Sequence, residues 1–110
     1  MKRIRSYSRV TTEALSLLGK LIKTTRLDRK QTSEEIAERA GISRTTLRNI
    51  ENGSAGTEIG AAFEVAALLG IRLFDLDPSS LALHTARLDE KLALLPKAAR
   101  APNMEIDDDF

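Results

Sequence analysis

Residues 32–53, TSEEIAERAGISRTTLRNIENG, are the stretch of this chain that decides its fold. Thr32 and Glu35 have the spacing of a capping box, in which each side chain satisfies a backbone amide at the start of a helix. Gly41 is suited to end that helix in a left-handed conformation, and Ser43 is a good N-cap for the next helix. Two helices joined by so short a turn with a glycine predict a helix-turn-helix unit.

The second helix of this unit, predicted from Ser43 to about Asn52, has two chemically different faces. On a helical projection, Leu47 and Ile50 fall on an apolar side. The opposite side is polar and carries Arg44, Thr45, Arg48, Asn49 and Asn52. Arginine can bond bidentately to guanine, asparagine can do so to adenine, and a threonine methyl can contact the thymine methyl. This face therefore has the side chains that read a DNA major groove, although a solvated polar face remains the alternative interpretation.

The flanking sequence predicts more helices and no strands. Apolar residues recur at spacings of three and four from about Thr12 to Leu27, and again from about Glu58 to Leu69. In the later helix the residues predicted to face inward are Ala62, Phe63, Ala66 and Leu69. Close backbone packing is the only role that the pattern offers for Gly60. A last helix is predicted from Ser79 or Ser80 to about Leu95, and Pro96 ends it, so the predicted fold class is all-α.

The charges of the chain are divided unevenly, although the net charge is only +1. Up to Gly53 there are 12 basic and 6 acidic residues, and after it there are 5 and 10. We predict four segments: a basic arm (1–11), a DNA-binding domain (12–77), a C-terminal helix (78–95) and an acidic, flexible tail (96–110). Lys2, Arg3 and Arg5 of the arm are candidates for contacts with DNA phosphates or the minor groove, or they serve solubility alone.

Several classes of protein are excluded by what the sequence lacks. The chain has no cysteine and a single histidine, His84, so we expect no disulfide, no metal site and no cofactor. No nucleophile stands beside a base in any recognisable pattern, and the prediction is therefore no enzyme and no small-molecule substrate. No apolar run approaches the roughly 20 residues of a membrane span. We expect a cytoplasmic protein that associates with the nucleoid through DNA binding.

Residues 18–71 resemble the Xre/Cro family of phage-repressor-like helix-turn-helix domains. The resemblance is carried by Glu35-Ile36-Ala37, Ala40-Gly41-Ile42-Ser43, Leu47, Ile50-Glu51-Asn52-Gly53 and Leu69-Gly70-Ile71. It implies a five-helix domain, here with an additional C-terminal helix. It also implies that 43–52 is a recognition helix with Arg44, Thr45 and Asn49 over base edges, and Arg48 on the same face is predicted to join them.

The resemblance further implies a set of phosphate contacts. Their residues in this chain are Lys30, Thr32, Ser33, Ser43, Thr46, Asn52 and Gly53. The family commonly has glutamine where this chain has Ser33, and because serine is shorter, that contact is lost or moves to Lys30. The same pattern implies that Glu51 pairs with Arg26, as a structural ion pair rather than a DNA contact.

Two further partners are predicted. A single recognition helix covers few base pairs, so we expect a homodimer on palindromic double-stranded operator DNA. A leucine seam formed by Leu81, Leu88, Leu92 and Leu95 is the candidate dimer or partner surface, with packing over the first helix of the same chain as the alternative. The basic-then-acidic layout resembles HipB-type antitoxins, which repress a toxin-antitoxin operon and bind a HipA-type kinase toxin; Phe110 behind three aspartates would anchor in that partner. A free-standing regulator and a module that no longer binds DNA remain open.

Overall fold

A computed structural model describes residues 6–74 and 77–96 of the chain. It divides into two units, Met1–Leu73 and Phe74–Phe110. Across the described ranges the chain forms five helices and no strand, which confirms the all-α class. The helices are α1 (Arg9–Asp28), α2 (Ser33–Ala40), α3 (Arg44–Glu51), α4 (Ile59–Leu68) and α5 (Pro78–Leu94).

The helix-turn-helix unit consists of α2 and α3, with the predicted ends. The Thr32 hydroxyl accepts from the Glu35 amide at 3.0 Å, and the Glu35 carboxylate accepts from the Thr32 amide at 2.8 Å, which completes the capping box. Gly41 ends α2 with a φ of 73°, a left-handed conformation that glycine adopts at little cost. The Ser43 hydroxyl then accepts from the Thr46 amide at 3.0 Å and caps α3. The sequence prediction of this unit is confirmed.

The core of the first unit is built from one or two apolar side chains of each helix. It comprises Ile22, Ile36, Ala37, Leu47, Ile50, Ala61, Val65 and Leu69, all buried. Helix α1 packs against α3, and α2 packs against both α3 and α4. Burying one large aliphatic side chain stabilises a fold by about 1.5–3 kcal/mol, so these few residues fix the position of α3.

Helix α1 begins earlier than the periodicity predicts. Ser8 is its N-cap, with the hydroxyl accepting from the Thr11 amide at 3.3 Å, so the helix starts at Arg9 instead of Thr12. Arg9 then pairs with Glu13 one turn later, at 3.0 Å. The end of the predicted arm is therefore helical, and Lys2, Arg3 and Arg5 lie outside the described residues.

Helix α4 buries only part of the face predicted to point inward. Ala66 and Leu69 are buried as expected, but Phe63 is 38% exposed, and Val65 and Ala61 are buried instead. Burial follows the contact of α4 with α2, and Phe63 lies on the other side of the helix.

Gly60, near the start of α4, does not mark a close approach of two backbones. A Cβ atom placed on it would meet nothing within 4 Å. The predicted close packing is therefore wrong, and the space around this glycine is open.

Helix α5 begins with Pro78 at its first turn and Asp77 as N-cap, slightly before the predicted serines. Residues 71–72 have no regular structure, and residues 73–74 form a turn. Residues 75–76 and the predicted tail beyond Pro96, with Phe110, are outside the described part of the chain. None of the described helices is both long and apolar enough to cross a membrane.

Candidate nucleic-acid interface

Helix α3 has a buried face and an exposed face, as its sequence predicts. Leu47 is 0% and Ile50 4% exposed, and both belong to the core. The four predicted base-reading residues are all exposed: Arg44, Thr45, Arg48 and Asn49. Arg44 and Thr45 are the first two residues of the helix, where a recognition helix meets the edges of bases.

A polar surface depression joins the first turn of α2 to the exposed face of α3. Its lining comes from three helices and their ends: Lys23, Arg26, Thr32, Ser33, Glu34, Arg44, Arg48, Glu51 and Asn52. The structure thus brings three predicted phosphate contacts, Thr32, Ser33 and Asn52, beside two predicted base contacts. Lys23 adds a cation from α1.

The first turn of α2 offers backbone amides to an anion at this depression. The opening amides of a helix have no partner within the helix, and its positive dipole end attracts negative charge. In the capping box the Thr32 amide donates to Glu35, whereas the Thr32 hydroxyl accepts and keeps its own proton. The groups at this end that can donate to a phosphate oxygen are therefore the amides of Ser33 and Glu34, the half-buried Ser33 side chain and the Thr32 hydroxyl.

A second polar depression lies at the other side of the α3 N-terminus. It is lined by Gly41, Ile42, Ser43, Thr46, Asn49, Gly56, Thr57 and Glu58. The predicted phosphate contacts Ser43 and Thr46 lie here beside Asn49, and the Ser43 hydroxyl donates to Thr46 Oγ1 at 3.0 Å. The predicted site residues therefore form two groups, one on each side of α3.

Two predicted phosphate contacts belong to neither depression. Lys30 is exposed in the turn before α2 and has a φ of 56°, which is uncommon for a residue with a Cβ atom. Gly53, with a φ of 77°, lies against α1, where an added Cβ atom would come within 3.0 Å of Ser16 Cα. Close packing against the α1 backbone explains why this position holds a glycine, independently of any contact with DNA.

A buried ion pair underlies the polar depression. Arg26 Nε donates to Glu51 Oε2 at 2.7 Å, and Arg26 Nη2 donates to Glu51 Oε1 at 3.1 Å. Arg26 Nη1 also donates to the Gln31 carbonyl oxygen at 3.0 Å. Both ionic side chains are only 8% exposed. The pair ties α1 to the turn before α2 and to the end of α3, so the predicted pairing of Arg26 with Glu51 is confirmed.

The approach of α1 to the end of α3 depends on Gly19. A Cβ atom at this position would overlap the backbone carbonyl oxygens of Ile50 and Glu51, at 2.5 Å from the first. Because glycine alone fits there, α1 lies close enough for Arg26 to reach Glu51.

Glu34 is a residue of the depression that the sequence analysis misses. Its carboxylate shares the lining with Lys23, Arg44 and Arg48, yet it forms no ion pair with any residue that the structure describes. The signal in the sequence is its place next to Ser33, in the first turn of the helix whose start is predicted to meet phosphate. A carboxylate in this first turn repels a polyanion such as DNA.

Comparisons with known proteins agree on the fold. The model of the Helix-turn-helix family matches residues 22–76, a range that contains α2, α3 and α4. A search of curated proteins finds no match. A solved structure titled "MDT Protein" is 24% identical with a TM-score of 0.50, over 71% of this chain and 99% of that chain. At this identity the likeness bears on the fold alone.

Proposed function

Because the chain belongs to the helix-turn-helix family, we propose that it is a sequence-specific DNA-binding repressor that reads palindromic operators as a dimer. Helix α3 is the recognition helix in this proposal. The observation that carries it is the division of α3 into a buried apolar face and an exposed face of arginine, threonine and asparagine.

The two depressions support separate roles for residues that position the protein on DNA and residues that read the base sequence. Phosphate contacts fix the register of a protein on the duplex, and contacts with base edges carry the sequence information. The proposed base contacts are Arg44, Thr45, Arg48 and Asn49, and the proposed phosphate contacts are Lys30, Thr32, Ser33, Ser43, Thr46, Asn52 and Gly53. Polar groups on both sides of α3 suit the two DNA backbones that border a major groove.

The test begins with selection of preferred duplexes from a random library by the full chain. Affinities of wild type, Arg44→Ala and Asn49→Ala for the selected duplex are then measured by fluorescence anisotropy. Loss of a bidentate base contact costs about 1–3 kcal/mol, or roughly 5- to 150-fold in affinity, and relaxes preference at one base position. Arg39→Ala removes an exposed arginine of α2 that lines neither depression, and serves as the matched control. Unchanged affinity and preference in both α3 variants would contradict the proposal.

We also propose a second partner, a kinase-type toxin that would make this protein the antitoxin of its operon. Two observations favour it over a free-standing regulator. The chain after Gly53 carries 10 acidic against 5 basic residues, and α5 exposes leucines on more than one side. An acidic surface with apolar anchors suits a basic partner, because complementary charge speeds encounter and apolar anchors supply affinity.

The toxin proposal is tested by the gene neighbourhood and by copurification. A kinase-like gene beside this one, with a product that copurifies with the full chain but not with a chain that lacks residues 96–110, supports it. If no such gene is adjacent and removal of these residues alters only solubility, the protein is a free-standing regulator. Operator binding by Arg44 and Asn49 is unaffected by that result.

A further inference from the structure

Helix α5 carries an exposed apolar stripe with the spacing of a coiled coil. Thr85 and the leucines at 81, 88, 92 and 95 recur at alternating intervals of four and three, and fall within about 80° on a helical projection. The leucines Leu81, Leu88, Leu92 and Leu95 are 43%, 60%, 65% and 49% exposed, and α5 has no buried residue. We propose that a second copy of this chain covers this stripe, with the two α5 helices parallel and in register.

The spacing of the stripe favours another helix as its occupant. Leu81, Leu88 and Leu95 take the d positions of a heptad, and Thr85 and Leu92 take the a positions. Such a seam stays continuous only against a helix that coils around it, because 3.5 residues per turn keep a and d facing the partner. A flat or irregular partner surface would not need this regularity.

The polar residues beside the stripe favour a parallel pair. His84 lies on one flank at position g, and Asp89 lies on the other flank at position e. In a parallel pair in register, g of one helix meets the e position five residues later in the other. His84 of each copy then faces Asp89 of the second copy, twice per dimer. An antiparallel pair would bring His84 beside Lys91 instead, and each Asp89 carboxylate would lose the imidazole that can donate a hydrogen bond to it.

The polar residue of the stripe selects the same arrangement. In a parallel pair, position a meets position a, so Thr85 meets Thr85 of the second copy and the two hydroxyls can share a hydrogen bond. In an antiparallel pair Thr85 would oppose a leucine at position d, and a buried hydroxyl without a partner is costly. A polar residue at position a is a known means of fixing register and orientation.

Parallel pairing suits a protein that reads a palindrome. It brings the N-terminal ends of the two α5 helices together at one end of the pair. A closed pair with two-fold symmetry matches the symmetry of two half-sites. The inference rests on the proposed function for its biological role, but the pairing itself is tested without DNA.

The first experiment measures the mass of the full chain in solution by sedimentation equilibrium. We expect wild type to approach twice the chain mass of 12.1 kDa, and Leu88→Lys to sediment as a single chain. Leu83→Lys makes the same change at a leucine of similar exposure, 52%, on the opposite side of α5, and stays dimeric. Circular dichroism verifies that both variants remain helical. A monomeric wild type, or an equal effect of the two substitutions, would overturn the pairing.

The second experiment determines orientation. The chain has no cysteine, so Leu81→Cys introduces a single thiol at the first d position. A parallel pair brings the two thiols within disulfide distance, whereas an antiparallel pair separates them by roughly 20 Å. We expect oxidation to cross-link Leu81→Cys but not Leu83→Cys. Cross-linking only in a mixture of Leu81→Cys and Leu92→Cys would show the antiparallel pair and overturn the inference.

A third measurement separates failure of the pairing from failure of DNA reading. Leu88→Lys is expected to bind a single half-site as wild type does, but to lose the gain in affinity that a full palindrome gives. A monomeric wild type whose operator binding still depends on Arg44 would overturn the pairing and leave sequence-specific DNA reading by α3 standing. A dimer that binds no DNA would support the pairing and overturn the proposed function.

Discussion

The guanidinium of Arg26 and the carboxylate of Glu51 form two hydrogen bonds, at 2.7 and 3.1 Å, where each side chain is 8% exposed. Removing one member of a buried pair leaves an uncompensated charge, which costs about 3–5 kcal/mol. We therefore expect Glu51→Ala to lower the free energy of unfolding by that amount, measured by urea denaturation.

The chain supplies its own control for this pair. Arg9 and Glu13 pair at 3.0 Å, but their side chains are 89% and 64% exposed. Exposed pairs contribute roughly 0–1 kcal/mol, so Glu13→Ala should change stability little. Equal effects of Glu13→Ala and Glu51→Ala would show that burial does not set the strength of the Arg26 contact.

Two glycines in helices are expected to respond oppositely to alanine. Gly19→Ala places a Cβ atom on the carbonyl oxygens of Ile50 and Glu51, and overpacking of this kind costs about 1–3 kcal/mol. Gly60→Ala meets nothing within 4 Å and gains up to about 1 kcal/mol of helix propensity. Thermal unfolding of both variants measures the two shifts. If Gly60→Ala keeps the stability gain but loses operator affinity, the open space at Gly60 belongs to an interface.

Lys23 is expected to strengthen binding to every DNA sequence equally. It lines the depression of Arg44 and Arg48 from α1, where it suits a phosphate contact and no base edge. Lys23→Ala should weaken binding to preferred and random duplexes by the same factor, and should reduce the slope of log K against log salt by about 0.9. Titrations at several salt concentrations measure this, with Arg39→Ala as control. A changed base preference in Lys23→Ala would contradict a phosphate role.

Glu34 is expected to weaken DNA binding and so to limit nonspecific contacts. Glu34→Gln removes the acidic side chain from the depression with little change of shape, and should raise affinity for random duplexes about two- to fivefold. Glu38→Gln makes the same change on an exposed part of α2 outside the depression, and should have a smaller effect. Weaker binding of Glu34→Gln at one base position would instead indicate that the carboxylate accepts from a cytosine amino group.

The helix-turn-helix unit is predictable from sequence because its determinants are local. The capping box joins Thr32 to a residue three positions away, and Gly41 and Ser43 set the turn by their own conformations. The exposed face of α3 follows from helical periodicity once the helix has been located. Even the Arg26–Glu51 pair follows from a family pattern, although its bond to the Gln31 carbonyl does not.

The remaining features depend on contacts between helices. Helix α4 is apolar on nearly every side, so periodicity cannot tell that Val65 rather than Phe63 meets α2. The N-cap of α1 at Ser8 is hard to recognise in the sequence because basic residues surround it. Glu34 joins the site only because the first turn of α2 lies against α3 and near Lys23, a relation that no spacing in the sequence records.

The two faces of α3 have separate roles. Leu47 and Ile50 hold the helix in the core, and the proposed base-reading residues are exposed to solvent. Substitution of an exposed side chain that lacks a packing role usually alters stability by no more than about 0.5 kcal/mol. Operator preference in this chain is thus free to diverge while the scaffold stays constant. A handful of changes on one side of an eight-residue helix would redirect the protein to a different set of genes.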